Sequence, residues 1–118
     1  MISPIGSAPF AALQSAQKKM DSVANNVANA DSDGYKKTRV TLAEGQGGTV
    51  QAQVERVETP GPLLLEQTAA GAELVEKSNV DLGEELPEML LTRRFFQANV
   101  KVLRTGDEML GTLLDVKG

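Results

Sequence analysis

The chain has 118 residues, 41% hydrophobic but only 3% aromatic, with a formal net charge of −4. That length suits one domain; the shortage of aromatics, with 11 Gly and 5 Pro, points to an elongated chain rather than a thick globule, and the acidic balance argues against nucleic acid. The absence of Cys and His removes disulfides, thiol chemistry, the commonest general base and the commonest metal ligand.

In chain order, MISPIGSAPFAALQ lacks the basic and apolar regions of a secretory signal, and no apolar run approaches the ~18 residues that span a bilayer. The expectation is a soluble chain that leaves the cytoplasm, if it does, without a cleaved signal. Ser7 is the expected cap of a first helix, with Pro9 in its first turn. Leu13, Ala16, Met20, Val23, Val27 and Ala30 then alternate in spacings of three and four, a heptad seam facing a partner helix. The pattern stops among Asn25, Asn26 and Asn29. Asn is a poor helix former because its amide competes for backbone groups. Helix termination explains Asn29 and leaves the other two, for which a hydrogen-bonded contact with a neighbouring chain is the expectation. Asp31, Ser32, Asp33 and Gly34 form a turn, with Gly34 suited to a positive φ.

TRVTL (38–42) and TVQAQVERV (49–57) have β composition, with residues 44–48 as the hairpin tip and Thr59-Pro60-Gly61-Pro62 ending the second strand. Residues 63–65 and 73–77 are expected to be short extended pieces on either side of Ala69-Ala70-Gly71. Together these predict a small, marginally ordered hairpin element. A longer helical pattern follows: Leu82, Leu86, Met89, Arg93, Phe96, Val100, Leu103, Asp107, Leu110 and Leu114, broadened by Leu90, Met109 and Leu113. Asp81 with Glu84 resembles a capping box. Pro87 predicts a kink in the first turns or a regular helix delayed to Leu86, and Gly106 and Gly111 weaken the pattern further on. At ~1.5 Å per residue such a helix reaches about 50 Å, too long to bury its own stripe. The expected fold is mainly α, with N- and C-terminal helices pairing as a coiled coil or helical hairpin and a small β-hairpin element between them. The expected unit is the whole of 1–118, divided at 1–30, 31–81 and 82–118.

Candidate chemistry is sparse. Asn29-x-Asp31-x-Asp33-Gly34 mimics the opening of a calcium loop, but the twelfth position, which requires a bidentate Glu, is Val40. Glu84, Glu85 and Glu88 are carboxylates favoured at a helix start by its dipole. Lys36, Lys37 and Arg39 beside Tyr35 form a basic patch, expected to be a solvated or subunit-contacting strand edge. No catalytic group, metal or cofactor is assigned.

Val23-Ala24-Asn25-Asn26-Val27-Ala28-Asn29-Ala30, followed by Gly34-Tyr35-Lys36, resembles the amino-terminal signature of bacterial flagellar rod and hook proteins. SNVDLGEELPEMLLTRRFFQANVKVLRTGDEMLGTLLDVKG resembles the family's terminal segment, matching at Ser78 to Leu82, Glu84, Glu85, Arg94, Phe96 to Asn99, Thr105, Asp107 to Leu110 and Thr112 to Leu114. The short middle is similar to that of the small proximal-rod, FlgC-type members. The resemblance implies a structural, non-enzymatic subunit of the basal-body rod, located in the periplasm-spanning rod and polymerising through its terminal helices to transmit torque. The implied partners are itself, other rod subunits and the flagellar type III export apparatus, with no nucleic acid, membrane insertion or cofactor. Subunit-interface residues are expected at Leu13, Met20, Val23, Asn25, Asn26, Val27, Asn29, Gly34, Tyr35, Leu86, Met89, Phe96, Asn99, Val100, Leu103, Asp107, Leu110 and Leu114. The rival reading is a soluble coiled-coil adaptor or a flagellar export chaperone.

Overall fold

The computed structural model describes residues 4–45 and 50–117. Helix α1 spans Pro4–Ala28, strands β1 Thr38–Glu44 and β2 Val50–Arg56 form one hairpin, strands β3 Leu63–Thr68 and β4 Gly71–Glu76 form another, and helix α2 spans Leu82–Lys117. The expected single β element is thus two separate two-stranded sheets. The tip of the first hairpin, residues 46–49, lies outside the described residues.

Helix α1 begins at Pro4 rather than after a Ser7 cap. Proline suits the first helical position because its fixed φ is preset and its missing N–H would find no helical acceptor there. Pro9 consequently lies inside the helix, where it is buried. The helix closes where Asn29 N–H reaches the carbonyls of Asn25 (3.1 Å) and Asn26 (3.2 Å), and Gly34 turns the chain at φ 71°.

Helix α2 begins at Leu82 and does not wait for Leu86. The Asp81 carboxylate caps it by accepting the Gly83 N–H at 2.9 Å, and the Asp81 carbonyl accepts the N–H groups of Glu84 and Glu85 at 3.0 Å. Pro87 sits within the helix at the expense of the ladder bond to the Gly83 carbonyl. Glu84 does not fold back to complete a capping box; its carboxylate goes to β1.

The hairpins are antiparallel, registered from Thr38↔Arg56 to Glu44↔Val50 and from Leu63↔Glu76 to Thr68↔Gly71. Gly71, at φ 113°, supplies the tight turn of the second. The first hairpin packs on α1, and α1 lies against α2. Lys19 pairs with Glu88 at 3.1 Å, while Ser15 and Ala16 share a cavity with Leu91, Thr92 and Phe95, so the two helices run antiparallel.

Among the described residues only Ala16 and Val23 are buried hydrophobics, whereas Ser15, Ser22, Asn26, Ser78, Glu85 and Thr92 are buried polar ones. The molecule measures 80 × 25 × 19 Å. The helix contact mixes polar groups with apolar ones: Ala16 and Val23 are buried, and Met20, Met89, Val100 and Leu103 are half-buried. Glu88 and Thr92 of α2 meet α1, while Leu82, Leu86 and Leu90 of the predicted apolar stripe stay exposed.

Candidate functional site

The end of α1, the start of β1 and the start of α2 converge on a polar junction. At its centre is Asn26, which has no accessible surface. Its Nδ2 donates to the Thr38 carbonyl at 2.9 Å, and its Oδ1 accepts the Thr38 N–H at 2.9 Å and the Tyr35 hydroxyl at 3.1 Å. A carboxamide is the side chain that can answer a backbone N–H and C=O together. One helical turn earlier, the Ser22 hydroxyl lies 2.6 Å from Thr38 Oγ1. Asn29 works locally: its Nδ2 donates to the Asn25 carbonyl and its Oδ1 accepts from Ser32, both at 2.9 Å. The Asn25 side chain is exposed.

Asn79 plays the matching part on the other side. Its Oδ1 accepts the Lys37 N–H at 2.7 Å, and its Nδ2 donates to the carbonyls of Val57 and Thr59 at 2.9 Å. The end of the first hairpin is thereby tied to the segment leading into α2. Gly61 passes so close to the Lys77 carbonyl that a Cβ would lie 1.9 Å from its oxygen, which excludes every side chain there.

The acidic and basic clusters seen in the sequence are each other's partners. Arg39 reaches Glu85 at 2.6 Å and Glu84 at 2.8 Å, and Lys37 lies 3.4 Å from Glu84. Lys36 pairs with Glu76, and Lys77 bridges Glu66 and Asp33. The basic patch is therefore paired within the chain rather than a solvated edge. Asp33, the third oxygen of the calcium-like run, is committed to Lys77. Glu85 has no accessible surface, and its Oε2 has no hydrogen-bond partner among the described residues. Burial, and then the Glu85 charge, raise the Tyr35 phenol above its ordinary 10.0. Burial alone would lower the Arg39 guanidinium, but the hydrogen bonds and charges of Glu85 and Glu84 outweigh it and hold the pKa above its usual value. Glu76 is held below the usual carboxylate range by the Lys36 hydrogen bond and then by the Gly61 N–H.

Of the sequence-predicted interface residues, Val23 and Asn26 are buried within the chain. Leu13, Met20, Val27, Asn29, Tyr35, Met89, Asn99, Val100 and Leu103 are half-buried, and Asn25, Gly34, Leu86, Phe96, Asp107, Leu110 and Leu114 are exposed. Beyond the junction α2 carries an open groove of about 620 Å³ lined by Val102, Leu103, Met109, Leu110 and Leu113 among others. Leu110 is 58% and Leu114 71% exposed there, so this end of α2 is unpartnered among the described residues. Sequence reasoning passed over Ser22, Thr38, Gly61 and Asn79 as junction residues. Only Gly61, between two prolines, carried a local signal of a constrained backbone.

Two family models match the chain in order. The one described as flagella basal body rod protein covers residues 11–36, and the flagellar basal body rod FlgEFG protein C-terminal model covers 72–116. The flagellar basal-body rod protein FlgG of Bacillus subtilis is 46% identical over 43 residues, 36% of this chain and 16% of that protein. The flagellar hook protein FlgE of Treponema pallidum is 36% identical over 64 residues, 54% of this chain and 13% of that protein. The flagellar hook protein FlgE of Borreliella burgdorferi is 43% identical over 44 residues, 37% of this chain and 10% of that protein. The chain thus spans well under a fifth of the length of these curated relatives. The matched segments contain Asn26 and Tyr35 on one side and Asn79, Glu84 and Glu85 on the other, the groups that meet at the junction. By these two ordered matches, the chain belongs to the flagellar rod and hook protein family.

Proposed function

We infer that this chain is a structural, non-enzymatic subunit of the flagellar basal-body rod, acting as one unit that polymerises and so transmits torque. The observation that carries this is the exposed apolar face of α2. Leu86 is 52% and Leu110 58% exposed, while Glu88 and Thr92 are among the α2 residues that meet α1. Large exposed apolar patches mark association surfaces. The heptad lines of α1 and α2 then serve helix–helix packing with neighbouring subunits, as a coiled-coil-like layer, while the junction fixes the hairpins beside them. Only residues 37–71 separate the matched segments, which supports a small, proximal-rod type of subunit rather than a hook protein.

The test is Leu110→Asp against Leu110→Met in the bacterium. A carboxylate buried without a partner costs several kcal/mol, whereas Met keeps the volume at a cost of under about 1.5 kcal/mol. The Asp variant is expected to be made and exported but to leave basal bodies incomplete and cells non-motile, with the Met variant close to normal. Normal rods and swimming with Leu110→Asp would overturn the assembly reading.

A further inference from the structure

One line of α2 runs along its flank, to the side of the face on which Glu85 and Thr92 are buried and Leu103 is half-buried. Leu82, Leu86, Leu90, Arg93, Gln97, Lys101 and Arg104 follow at spacings of four and three, Arg94 lies one turn after Leu90, and all are exposed. Between Met89 and Gly106 there are four cations and no carboxylate, in a chain whose net charge is −4. None of the four has an ion pair among the described residues. The second hairpin shows the converse. Glu66 and Glu73 face each other across the β3–β4 ladder, where like charges repel. Lys77 neutralises Glu66, while Glu73 is exposed and unpaired among the described residues. Leu64, two residues before Glu66 and on the same face, is also exposed. This hairpin makes no extensive packing contact with either helix of its own chain.

We propose that the β3–β4 face carrying Leu64, Glu66 and Glu73 docks on the Leu90–Arg93–Arg94 segment of α2 in a second copy of this chain. The proposal rests on the assembly reading above and specifies one of its contacts. Charge is complementary, and so is spacing: one turn of α2 from Leu90 to Arg94 rises about 6 Å, and the step from Leu64 to Glu66 is about 6.6 Å. Leucine meets leucine and carboxylate meets guanidinium in the same register. The contact joins two different surfaces, so it repeats from copy to copy instead of closing into a two-fold dimer. A helix lying flat on an anionic membrane would place its cations beside the apolar face, not within the same narrow line. Here the leucines and cations are in series on that line, which favours a protein partner.

The experiment measures self-association of the full chain by sedimentation at low and high salt. Arg94→Glu is expected to weaken it about tenfold, and Arg94→Glu combined with Glu73→Arg in the same chain to restore most of the loss. High salt should weaken the unaltered protein as well. Because the chain has no Cys, copies bearing Arg94→Cys mixed with copies bearing Glu73→Cys should form a disulfide between chains. Association that ignores both charges overturns this contact and leaves the assembly reading standing. A protein that remains monomeric at low salt, or a double-cysteine chain that cross-links only within itself, overturns the contact too. Unchanged self-association, with charge-dependent binding to phosphatidylglycerol vesicles, would assign the face to a membrane instead.

Discussion

Asn26 answers both hydrogen-bonding groups of the Thr38 backbone from inside the protein, so its loss strands several polar atoms at once. Asn26→Ala is expected to lower stability by about 3 kcal/mol, against about 0.5 kcal/mol or less for the exposed Asn25→Ala. Urea unfolding followed by circular dichroism compares the two; equal midpoints would remove Asn26 from the junction. Tyr35, the only tyrosine, reports the same place by its own absorbance. Its folded pKa is raised above 10.0, so its contribution to stability is full below the unfolded value and is lost as pH rises through the folded one. The tyrosinate band should therefore appear at higher pH in native protein than in urea, and coincident titrations would contradict the burial of this phenol. The unusual trio of asparagines was legible in the sequence, but their division of labour was not. Neighbouring helical residues point about 100° apart, and which one is enclosed depends on where β1 returns after the turn.

Gly61 and Gly111 make opposite expectations at the scale of elements. A Cβ at Gly61 would strike the Lys77 backbone, so Gly61→Ala should open the base of the second hairpin, at about 1–3 kcal/mol. A Cβ at Gly111 meets open space inside α2, so Gly111→Ala should gain about 1 kcal/mol of helix stability and raise helicity. A melting point that rises for both, or falls for both, would refute this account. The reach of α2, the end of α1 near Asn29 and the pieces of both hairpins were readable from periodicity and turn residues. The start of α2 at Leu82 was readable from Asp81, which caps it while Pro87 is accommodated inside the helix, whereas the extension of α1 ahead of Ser7 was not. Nor could the pairing of Arg39 with Glu84 and Glu85 be read, since it spans 45 and 46 residues.

At the scale of the molecule, an 80 Å body with two buried hydrophobics among its described residues has little interior of its own. Isolated helices with open apolar lines are marginal, so hydrogen exchange in dilute protein should be fast at the free end of α2, beyond Gly106, and slowest around Asn26 and Glu85. Uniform protection along α2 would contradict this. The legible part at this scale was the surplus of apolar stripe; the polar groups that share the α1–α2 contact, Ser15, Ser22, Glu85 and Thr92, were hidden, because spacing alone does not say which face meets which neighbour. The reach of the Arg39–Glu85 bridge also imposes an order in time. A chain delivered amino end first can shape α1 and the first hairpin locally, yet Asn79, Glu84 and Glu85 arrive last, and until then Arg39 and the Lys37 N–H lack the acceptors they have in the finished fold. A chain cut after Lys77 should accordingly show no cooperative unfolding transition, whereas adding a separate peptide of residues 78–117 should restore one. The last third of the chain is thus the keystone of the junction, bringing Arg39 and the Lys37 N–H the acceptors they have in the finished fold.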